Sequence, residues 1–316
     1  MITSLFFLII GLVLLLTGTE FVIGAALNVA RHYKISELFI GLTIMAIGTD
    51  LPELVVDITA AIHRLKGIET SGLIIGETLG TCMSQIFLTL GLIGLFSVLH
   101  LGNGGLHREK GMLVFSALIV FLLGFDGLLS RIDGFILLII YMVYFLSLNR
   151  EENIYKKFKS LHLKKKLYPM WVFFSFSAGF AILFLGSQLT IQHALKLAAL
   201  LRLPQAIIGI IALGLATSLP EIALAINSIR KKAYTLSIGN LIGSNIFDML
   251  FTLGIGSAIS GFLVNHGFLV FDFPYLIFAY LIFIYLILGK NNLHKKQAFV
   301  FLSLFFFYIL IKLGTL

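Results

Sequence analysis

Apolar residues dominate the chain in long runs that short polar segments separate. The runs lack the period-two alternation of barrel strands, so they predict helices. A helix needs about 20 apolar residues to cross a hydrocarbon core. The pattern therefore predicts an all-α polytopic membrane protein with ten transmembrane helices, at residues 4–30, 38–62, 71–98, 111–127, 132–148, 171–199, 205–229, 235–262, 268–288 and 296–315.

Composition supports this prediction. The chain is 59% hydrophobic and 12% charged, with a mean hydropathy of +1.04. A soluble domain carries about 25% charged residues, so a soluble globule is excluded. The net charge of +8 lies mostly in short loops, which favours a topological role over a nucleic-acid partner. The single cysteine, Cys82, excludes an internal disulfide.

The second predicted helix contains an unusual polar segment. Gly48-Thr49-Asp50-Leu51-Pro52-Glu53 places two carboxylates and a proline inside an apolar run. An intramembrane charge costs about 2.5–3.5 kcal/mol even on insertion scales, and a proline frees a backbone carbonyl one turn earlier. Carboxylates and carbonyls are the ligands of hard cations. The segment therefore predicts a helix break with a cation site; the alternative is a proline kink that only packs helices.

The same segment occurs twice. Ala216-Thr217-Ser218-Leu219-Pro220-Glu221 repeats it at an offset of 168 residues. Further along, Gly76 and Gly80 recur as Gly239 and Gly243, so Thr81 and Gln85 match Ser244 and Asp248 at an offset of 163. We therefore predict two five-helix repeats, at 1–148 and 171–316, with duplicated motifs at 39–91 and 207–254 and a basic linker at 149–170.

An odd number of helices per repeat makes the second repeat enter the membrane from the opposite side. With the N-terminus outside, 17 of the 23 Lys and Arg residues lie in cytoplasmic loops, as the positive-inside rule requires. The central loop is then cytoplasmic and the protein lies in the cell membrane. Inverted repeats with interrupted helices are typical of secondary transporters.

GTDLPE with GETLGT, and ATSLPE with GNLIGSNIFD, resemble the paired alpha repeats of the cation/calcium exchanger superfamily, in particular its prokaryotic sodium/calcium exchanger branch. The resemblance covers nearly the whole chain. It implies antiport of Ca²⁺ against a monovalent cation, with helices 2, 3, 7 and 8 around the ions and helices 1 and 6 sliding past them. It implies no cofactor beyond the transported Ca²⁺ and Na⁺.

The resemblance also implies the ion-binding residues. Glu53 and Glu221 are the expected central Ca²⁺ carboxylates, and Thr49 and Thr217 are expected to contribute backbone carbonyls. The remaining implied ligands are further oxygens from Ser218, Thr81 and Ser244, the midplane acid Asp248, and its counterpart Gln85. No HExxH or GxSxG motif occurs, so we expect no enzymatic activity.

The first repeat departs from the family pattern by being more acidic. Asp50 stands where the family has Ser, Glu77 stands where it has Asn, and Asp57 adds an acid one turn after Glu53. We include Asp50 and Glu77 among the candidate ligands. Neighbouring acids cannot all ionise, so protonation makes H⁺ a rival to Na⁺ as counter-ion. The same acids leave another divalent cation, such as Mn²⁺ or Mg²⁺, as an alternative to Ca²⁺. Alternatively, Asp57 and Glu77 only line water-filled entrances. The sequence leaves the oligomeric state open.

Overall fold

The computed structural model describes residues 2–32, 46–96, 99–100, 107–152, 169–219, 221–222, 225, 234–288 and 292–314. Within these residues the chain is almost entirely helical, as predicted. Most of the predicted linker, at 153–168, and parts of the second and seventh predicted helices, including residues 33–45, Pro220 and 226–233, lie outside the described residues. The basic residues of these segments, which the topology prediction uses, also lie outside the described residues. The ends of the predicted linker are helical, because 149–152 continue the fifth helix and 169–170 begin the sixth.

The helices of the first half are labelled α1 to α5. They are α1 (Ile2–His32), α2 (Ala46–Thr49 and Leu51–Leu65), α3 (Ser71–Met83, a π-helical segment Ser84–Leu88, and Thr89–Phe96), α4 (His107–Leu123) and α5 (Arg131–Glu152).

The helices of the second half are labelled α6 to α10. They are α6 (Pro169–Leu201), α7 (Gln205–Ile208, a π-helical segment Gly209–Leu213, Gly214–Thr217 and the helical residues after Ser218), α8 (Tyr234–Phe247, a π-helical segment Asp248–Thr252, and Leu253–Ser260), α9 (a π-helical segment Phe268–Asp272, and Phe273–Leu288) and α10 (Lys295–Gly314).

Five of the described helices are long and apolar enough to cross a membrane by themselves. They are Ser71–Leu95, Met170–Leu201, Ile238–Ser260, Phe268–Leu286 and Lys295–Gly314. Large apolar side chains also remain exposed on the outside of the bundle, for example Phe173 and Phe174 on α6 and Ile139 on α5. An exposed apolar surface of this kind requires an apolar surrounding.

Several predicted helix ends are wrong by two to four residues. The second helix ends at Leu65 and not at residue 62, the fourth begins at His107 and not at residue 111, and the fifth ends at Glu152 and not at residue 148. The fourth helix ends at Leu123 and not at residue 127, because a turn follows in which Gly127 has a φ of 90° and donates to the Gly124 carbonyl at 3.0 Å. The eighth helix ends at Ser260 and not at residue 262, because Gly261 has a φ of 67°. A positive φ is favourable only for glycine, which therefore ends both helices.

Two short antiparallel strand pairs join the halves. β1 (Leu99–His100) follows α3 and pairs with β4 (Asn292–Leu293), which precedes α10. β3 (Phe262–Leu263) follows α8 and pairs with β2 (Leu128–Leu129), which precedes α5. The strand after the third helix of each half thus pairs with the strand before the fifth helix of the other half.

Helix packing follows the same pattern, in which an element of one half contacts an element of the other half. α1 lies along α6, the C-terminal part of α3 packs on α10, and the C-terminal part of α8 packs on α5. α3 and α7 are in backbone contact through glycines. A Cβ atom at Gly76, Gly80 or Gly209 would overlap the carbonyl oxygen of Ala206, Ile210 or Leu73, respectively. The seam between α3 and α7 therefore brings their polar side chains close together.

Candidate ion-binding site

The duplicated segments break α2 and α7 at matching residues. Asp50 has a turn conformation between the helical pieces Ala46–Thr49 and Leu51–Leu65. Ser218 has a turn conformation directly after the helical piece Gly214–Thr217. Pro52 lies in the first turn of the second piece of α2, where its missing N–H costs no helical hydrogen bond. Asp50 forms no cap hydrogen bond with its own helix, so its carboxylate is available for other contacts.

Six acidic side chains from four helices are buried around these breaks. Each is at most 1% exposed: Asp50, Glu53 and Asp57 on α2, Glu77 on α3, Glu221 on α7 and Asp248 on α8. Glu53 interacts with Glu221, Asp248, Glu77 and Asp50, and Asp57 interacts with Glu77 and Asp248, so the six carboxyls form one electrostatically connected group. We call these six residues the acidic cluster.

Most oxygens of the acidic cluster have no hydrogen bond of standard geometry. Both carboxylate oxygens of Asp50, Glu53, Asp57 and Glu221 lack one, as does Oδ1 of Asp248. The Asp50 carboxyl lies beside that of Glu221 and the hydroxyl of Ser244. Two ionised carboxylates offer only acceptors, so this contact requires a proton or a cation. An uncompensated buried carboxylate is unstable, and the cluster therefore has to bind positive charge.

Hydroxyl groups line the other side of the site, at the α7 break. Thr217 Oγ1 lies 3.1 Å from Glu77 Oε1 and 3.0 Å from the Leu213 carbonyl oxygen, and its single proton can be donated to either acceptor. Thr81 Oγ1 lies 3.2 Å from Thr217 Oγ1 and 3.5 Å from Glu77 Oε1. Glu77, Thr81 and Thr217 thus form one contact between α3 and α7.

Ser218 and Ser84 occupy the same seam. Their hydroxyl oxygens lie 2.6 Å apart, so one of the two hydroxyls donates to the other. Both hydroxyl oxygens also lie within hydrogen-bond distance of the Gly214 carbonyl oxygen, at 3.1 Å for Ser84. Thr81 Oγ1 lies 3.4 Å from the same carbonyl oxygen. The Gly214 carbonyl is therefore occupied by protein hydroxyls. Sequence reasoning overlooked Ser84, although a polar residue three positions after Thr81 in an apolar helix was a usable signal.

Gln85 and Asp248, which match each other in the duplication, meet directly. Gln85 Nε2 donates to Asp248 Oδ2 at 3.3 Å, and both side chains are buried. Ser244, one turn before Asp248, has a buried hydroxyl without a hydrogen bond of standard geometry. The predicted residues of α3 and α8 are therefore within reach of both helix breaks.

The acids are not arranged as a compact metal centre. Among the residues that the structure describes, no three His, Cys, Asp or Glu side chains are grouped closely enough to hold a metal ion. Ca²⁺ takes six to eight oxygens at about 2.3–2.6 Å. A Ca²⁺ ion at this site therefore needs hydroxyl or carbonyl oxygens in addition to carboxylates.

A second buried charge lies outside this site and was missed by sequence reasoning. Asp272 at the start of α9 accepts from Tyr308 at 2.8 Å and from Lys312 at 2.9 Å, both on α10. The signal was available, because an acid and a lysine each interrupt an apolar run. Asp272 differs from the acidic cluster because its charge is paired.

Helix breaks that carry buried, unpaired acids define a class of protein, the membrane transporters of cations. The family model described as "Sodium/calcium exchanger protein" matches residues 3–148 and 171–314. The chain therefore belongs to the sodium/calcium exchanger family, and it is a cation exchanger and not an enzyme.

Individual relatives agree with this assignment. An uncharacterized membrane protein of Methanocaldococcus jannaschii, MJ0091, is 31% identical over 79% of this chain and 80% of its own length. The sodium/calcium exchanger MaX1 of Methanosarcina acetivorans is 25% identical over 85% and 87%. A solved structure of the sodium-calcium exchanger NCX_Mj, soaked with Na⁺ and Sr²⁺, aligns with a TM-score of 0.65, 26% identity and 98% coverage of both chains.

Proposed function

We propose that the protein exchanges Ca²⁺ for Na⁺ across the cell membrane by alternating access. The observation that carries this proposal is the acidic cluster, in which four buried carboxylates at or near the helix breaks form no hydrogen bond of standard geometry through either oxygen. A divalent cation between Glu53 and Glu221 neutralises two of these charges. When it leaves, the remaining repulsion favours the entry of Na⁺, which couples the two ion movements.

The proposed ligands are those that the sequence indicates. Glu53 and Glu221 bind Ca²⁺ at the centre, with the backbone carbonyls of Thr49 and Thr217 at the breaks. The additional residues of the proposed site are Asp50, Glu77, Thr81, Gln85, Ser218, Ser244 and Asp248. Their burial around one pair of helix breaks supports this assignment.

The proposed architecture is two inverted five-helix repeats, at 1–148 and 171–316, that together form ten membrane spans. The exchanged strand pairs support a two-fold relation between the repeats, because β1–β4 and β2–β3 join matching positions in opposite order. The contact between Gln85 and Asp248 supports it further, since matched residues meet only near a two-fold axis. The N-terminus is then outside and the central basic linker is cytoplasmic.

Exchange of Ca²⁺ for H⁺ is the second candidate function. It is favoured by the extra acids of the first repeat, because Asp50, Asp57 and Glu77 stand where the second repeat has Ser218, Ala225 and Asn240. None of the ion pairs in the described part of the chain involves these acids. Buried acids without cationic partners are suitable carriers of protons.

Ion-driven uptake distinguishes the two functions. The purified full-length protein is reconstituted into proteoliposomes, and ⁴⁵Ca²⁺ uptake is measured with an outward Na⁺ gradient and, separately, with an outward H⁺ gradient. We expect uptake with the Na⁺ gradient and its loss when an ionophore dissipates that gradient. Protein-free liposomes give the background.

Uptake that requires only the H⁺ gradient would replace Na⁺ by H⁺ as the counter-ion. The absence of ⁴⁵Ca²⁺ uptake with either gradient would contradict Ca²⁺ exchange altogether. Glu69→Gln is the matched control for acidic substitutions, because Glu69 lies in the connection between α2 and α3, away from the acidic cluster, and its side chain is 49% exposed. This variant is expected to retain wild-type uptake.

A further inference from the structure

A chain of hydrogen bonds between buried side chains ends on Asp248. The Tyr280 hydroxyl on α9 donates to Asn245 Oδ1 at 2.6 Å. Asn245 Nδ2 donates to Gln85 Oε1 at 2.6 Å, and Gln85 Nε2 donates to Asp248 Oδ2 at 3.3 Å. All four side chains are at most 1% exposed. Bulk water therefore does not compete for these bonds, and breaking one leaves a buried polar atom unpaired.

A single backbone carbonyl fixes the direction of this chain. Asn245 Nδ2 also donates to the Leu241 carbonyl at 2.8 Å, and a carbonyl oxygen can only accept. The amide of Asn245 cannot be reversed without placing two acceptors face to face. Its Nδ2 therefore faces Gln85, which has to present Oε1 in return. The NH₂ group of Gln85 is then left to donate to Asp248.

Tyr280 closes the far end of the chain. Its hydroxyl is the donor that Asn245 Oδ1 needs, and its ring is buried in a stack with Phe87 at a centroid distance of 6.3 Å. Cys82, which matches Asn245 in the first repeat, lies against the same hydroxyl. A thiol lacks the separate donor and acceptor groups of an amide. The hydrogen-bond chain therefore ends on Asp248, and the first repeat has no equivalent chain through Cys82.

The chain leaves the two oxygens of Asp248 in different environments. Oδ2 accepts from Gln85, whereas Oδ1 is buried without a hydrogen-bond partner. The oxygen of Gln85 already accepts from Asn245. Of the polar atoms in the chain, Oδ1 of Asp248 is therefore the one left to contact a cation.

We propose that Tyr280, Asn245 and Gln85 are positioning residues that hold Asp248 so that Oδ1 binds the transported cation. Gln85 then acts as a donor to Asp248, and Tyr280 acts through Asn245 and Gln85 without touching the ion. The proposal rests on the function proposed above and adds residues to its site. It predicts that the Tyr280 hydroxyl controls the ion affinity of the exchanger.

The test is Tyr280→Phe in the full-length protein in proteoliposomes, with Ca²⁺ as the probe. Loss of the hydroxyl removes one hydrogen bond from Asn245 and loosens Asp248. We expect the half-saturating Ca²⁺ concentration for uptake to rise roughly three- to tenfold, with a smaller change in the maximal rate. Tyr275→Phe is the matched control in the same helix, because the Tyr275 hydroxyl donates to the Leu304 carbonyl at 2.7 Å. It should leave the half-saturating concentration unchanged.

A double-mutant cycle separates positioning from a general loss of stability. Gln85→Met interrupts the same chain with a side chain of similar size, so it should raise the half-saturating concentration as Tyr280→Phe does. The two changes combined should then produce no further rise. If each change multiplies the effect of the other, the residues act independently and the proposal is overturned. If Tyr280→Phe does not fold, Asn245→Leu compared with Tyr275→Phe decides the question, because Asn245 lies between Tyr280 and Gln85 and is not one of the proposed ligands.

The outcomes also separate this proposal from the one on which it rests. Wild-type protein without Ca²⁺ uptake would overturn both. Active wild-type protein with identical behaviour of Tyr280→Phe and Tyr275→Phe would overturn the positioning role alone and leave Ca²⁺ exchange intact.

Discussion

The helix breaks in α2 and α7 have the same backbone arrangement, but the turn residue is the acid Asp50 in α2 and the hydroxyl residue Ser218 in α7. At the α7 break, the hydroxyls of Thr217 and Ser218 are fully engaged with Glu77, Ser84 and nearby carbonyls. At the α2 break, both oxygens of Asp50 and of Glu53 lack hydrogen bonds of standard geometry. The comparison indicates that the hydroxyls of the α7 break are satisfied by the protein itself, whereas Asp50 at the α2 break depends on a bound cation or proton. The matched acids Glu53 and Glu221 lack hydrogen bonds of standard geometry at both breaks.

Glu53→Gln and Glu221→Gln have the largest expected effect. If the two breaks share one ion, each substitution removes one of its two central charges, and ⁴⁵Ca²⁺ uptake should fall more than about 100-fold in both variants. Uptake in proteoliposomes measures this, with Glu69→Gln as the control. A large loss in one variant only would mean that the two halves do not share the ion.

Exchanging the residues at the breaks sharpens the comparison. Asp50→Ser gives the α2 break the chemistry of Ser218. It removes one charge from the acidic cluster, so the half-saturating Ca²⁺ concentration should rise about tenfold.

The reciprocal change, Ser218→Asp, places a carboxylate against the Gly214 carbonyl, with which Ser218 now forms a hydrogen bond. It should lower the thermal stability of the purified protein, because two acceptors then face each other. Wild-type ion affinity in Asp50→Ser would show that Asp50 does not contribute to the site, and an unchanged melting temperature in Ser218→Asp would contradict the difference between the breaks.

Asp57→Ala tests an acid that has no counterpart in the second repeat, where Ala225 stands. Asp57 is fully buried without a partner. Its removal should raise the free energy of unfolding in cation-free buffer by about 1–3 kcal/mol. Thermal denaturation measures this change, and Ala225→Asp is the reciprocal variant, expected to be destabilising. A lower stability of Asp57→Ala would mean that the carboxyl is satisfied in the folded protein.

Glu69→Gln has the smallest expected effect and contrasts an exposed acid with the acidic cluster. Partial burial acts to raise the pKa of Glu69, but hydrogen bonds from Ser71 and the charge of Arg64 outweigh it and lower the pKa. A lowered pKa stabilises the fold above the unfolded-state value of about 4.3. The substitution should cost a few tenths of a kcal/mol at neutral pH.

This difference between Glu69→Gln and wild type should shrink as the pH falls below the unfolded-state pKa, and it should disappear once the pH is below the lowered pKa of Glu69 in the folded protein, where the carboxyl is protonated in both states. Thermal denaturation at several pH values measures it. A difference that persists at low pH would mean that packing, and not charge, is responsible.

The sequence predicted the helix breaks because its signal there is local. A proline and acids in an apolar run identify the α2 break at Asp50, and duplication identifies the matching break at Ser218. Two of the wrong helix ends, those of the fourth and eighth helices, come before glycines with positive φ, Gly127 and Gly261, and apolar periodicity carries no information about φ. The π-helical segments within α3 and α8 were not predicted, because they depend on tertiary packing of the backbone.

Contacts between distant segments could not be read from the sequence. The duplication matches Gln85 with Asp248, but only the fold brings the two together. The same holds for Ser84 with Ser218, and for Asp272 with Lys312. Sequence patterns therefore indicated which residue types lie in the site, whereas the structure was required to show which of their oxygens form hydrogen bonds within the protein.

The central claim is that a cation binds between the carboxylates of Glu53 and Glu221. Crystals of the protein grown with Ca²⁺ and measured at a long X-ray wavelength test it directly through anomalous scattering. We expect a peak about 2.3–2.6 Å from carboxylate oxygens of both residues. The same peak should be absent from crystals of Glu53→Gln. A Ca²⁺ peak elsewhere in the protein, with none between these two side chains, would contradict the account.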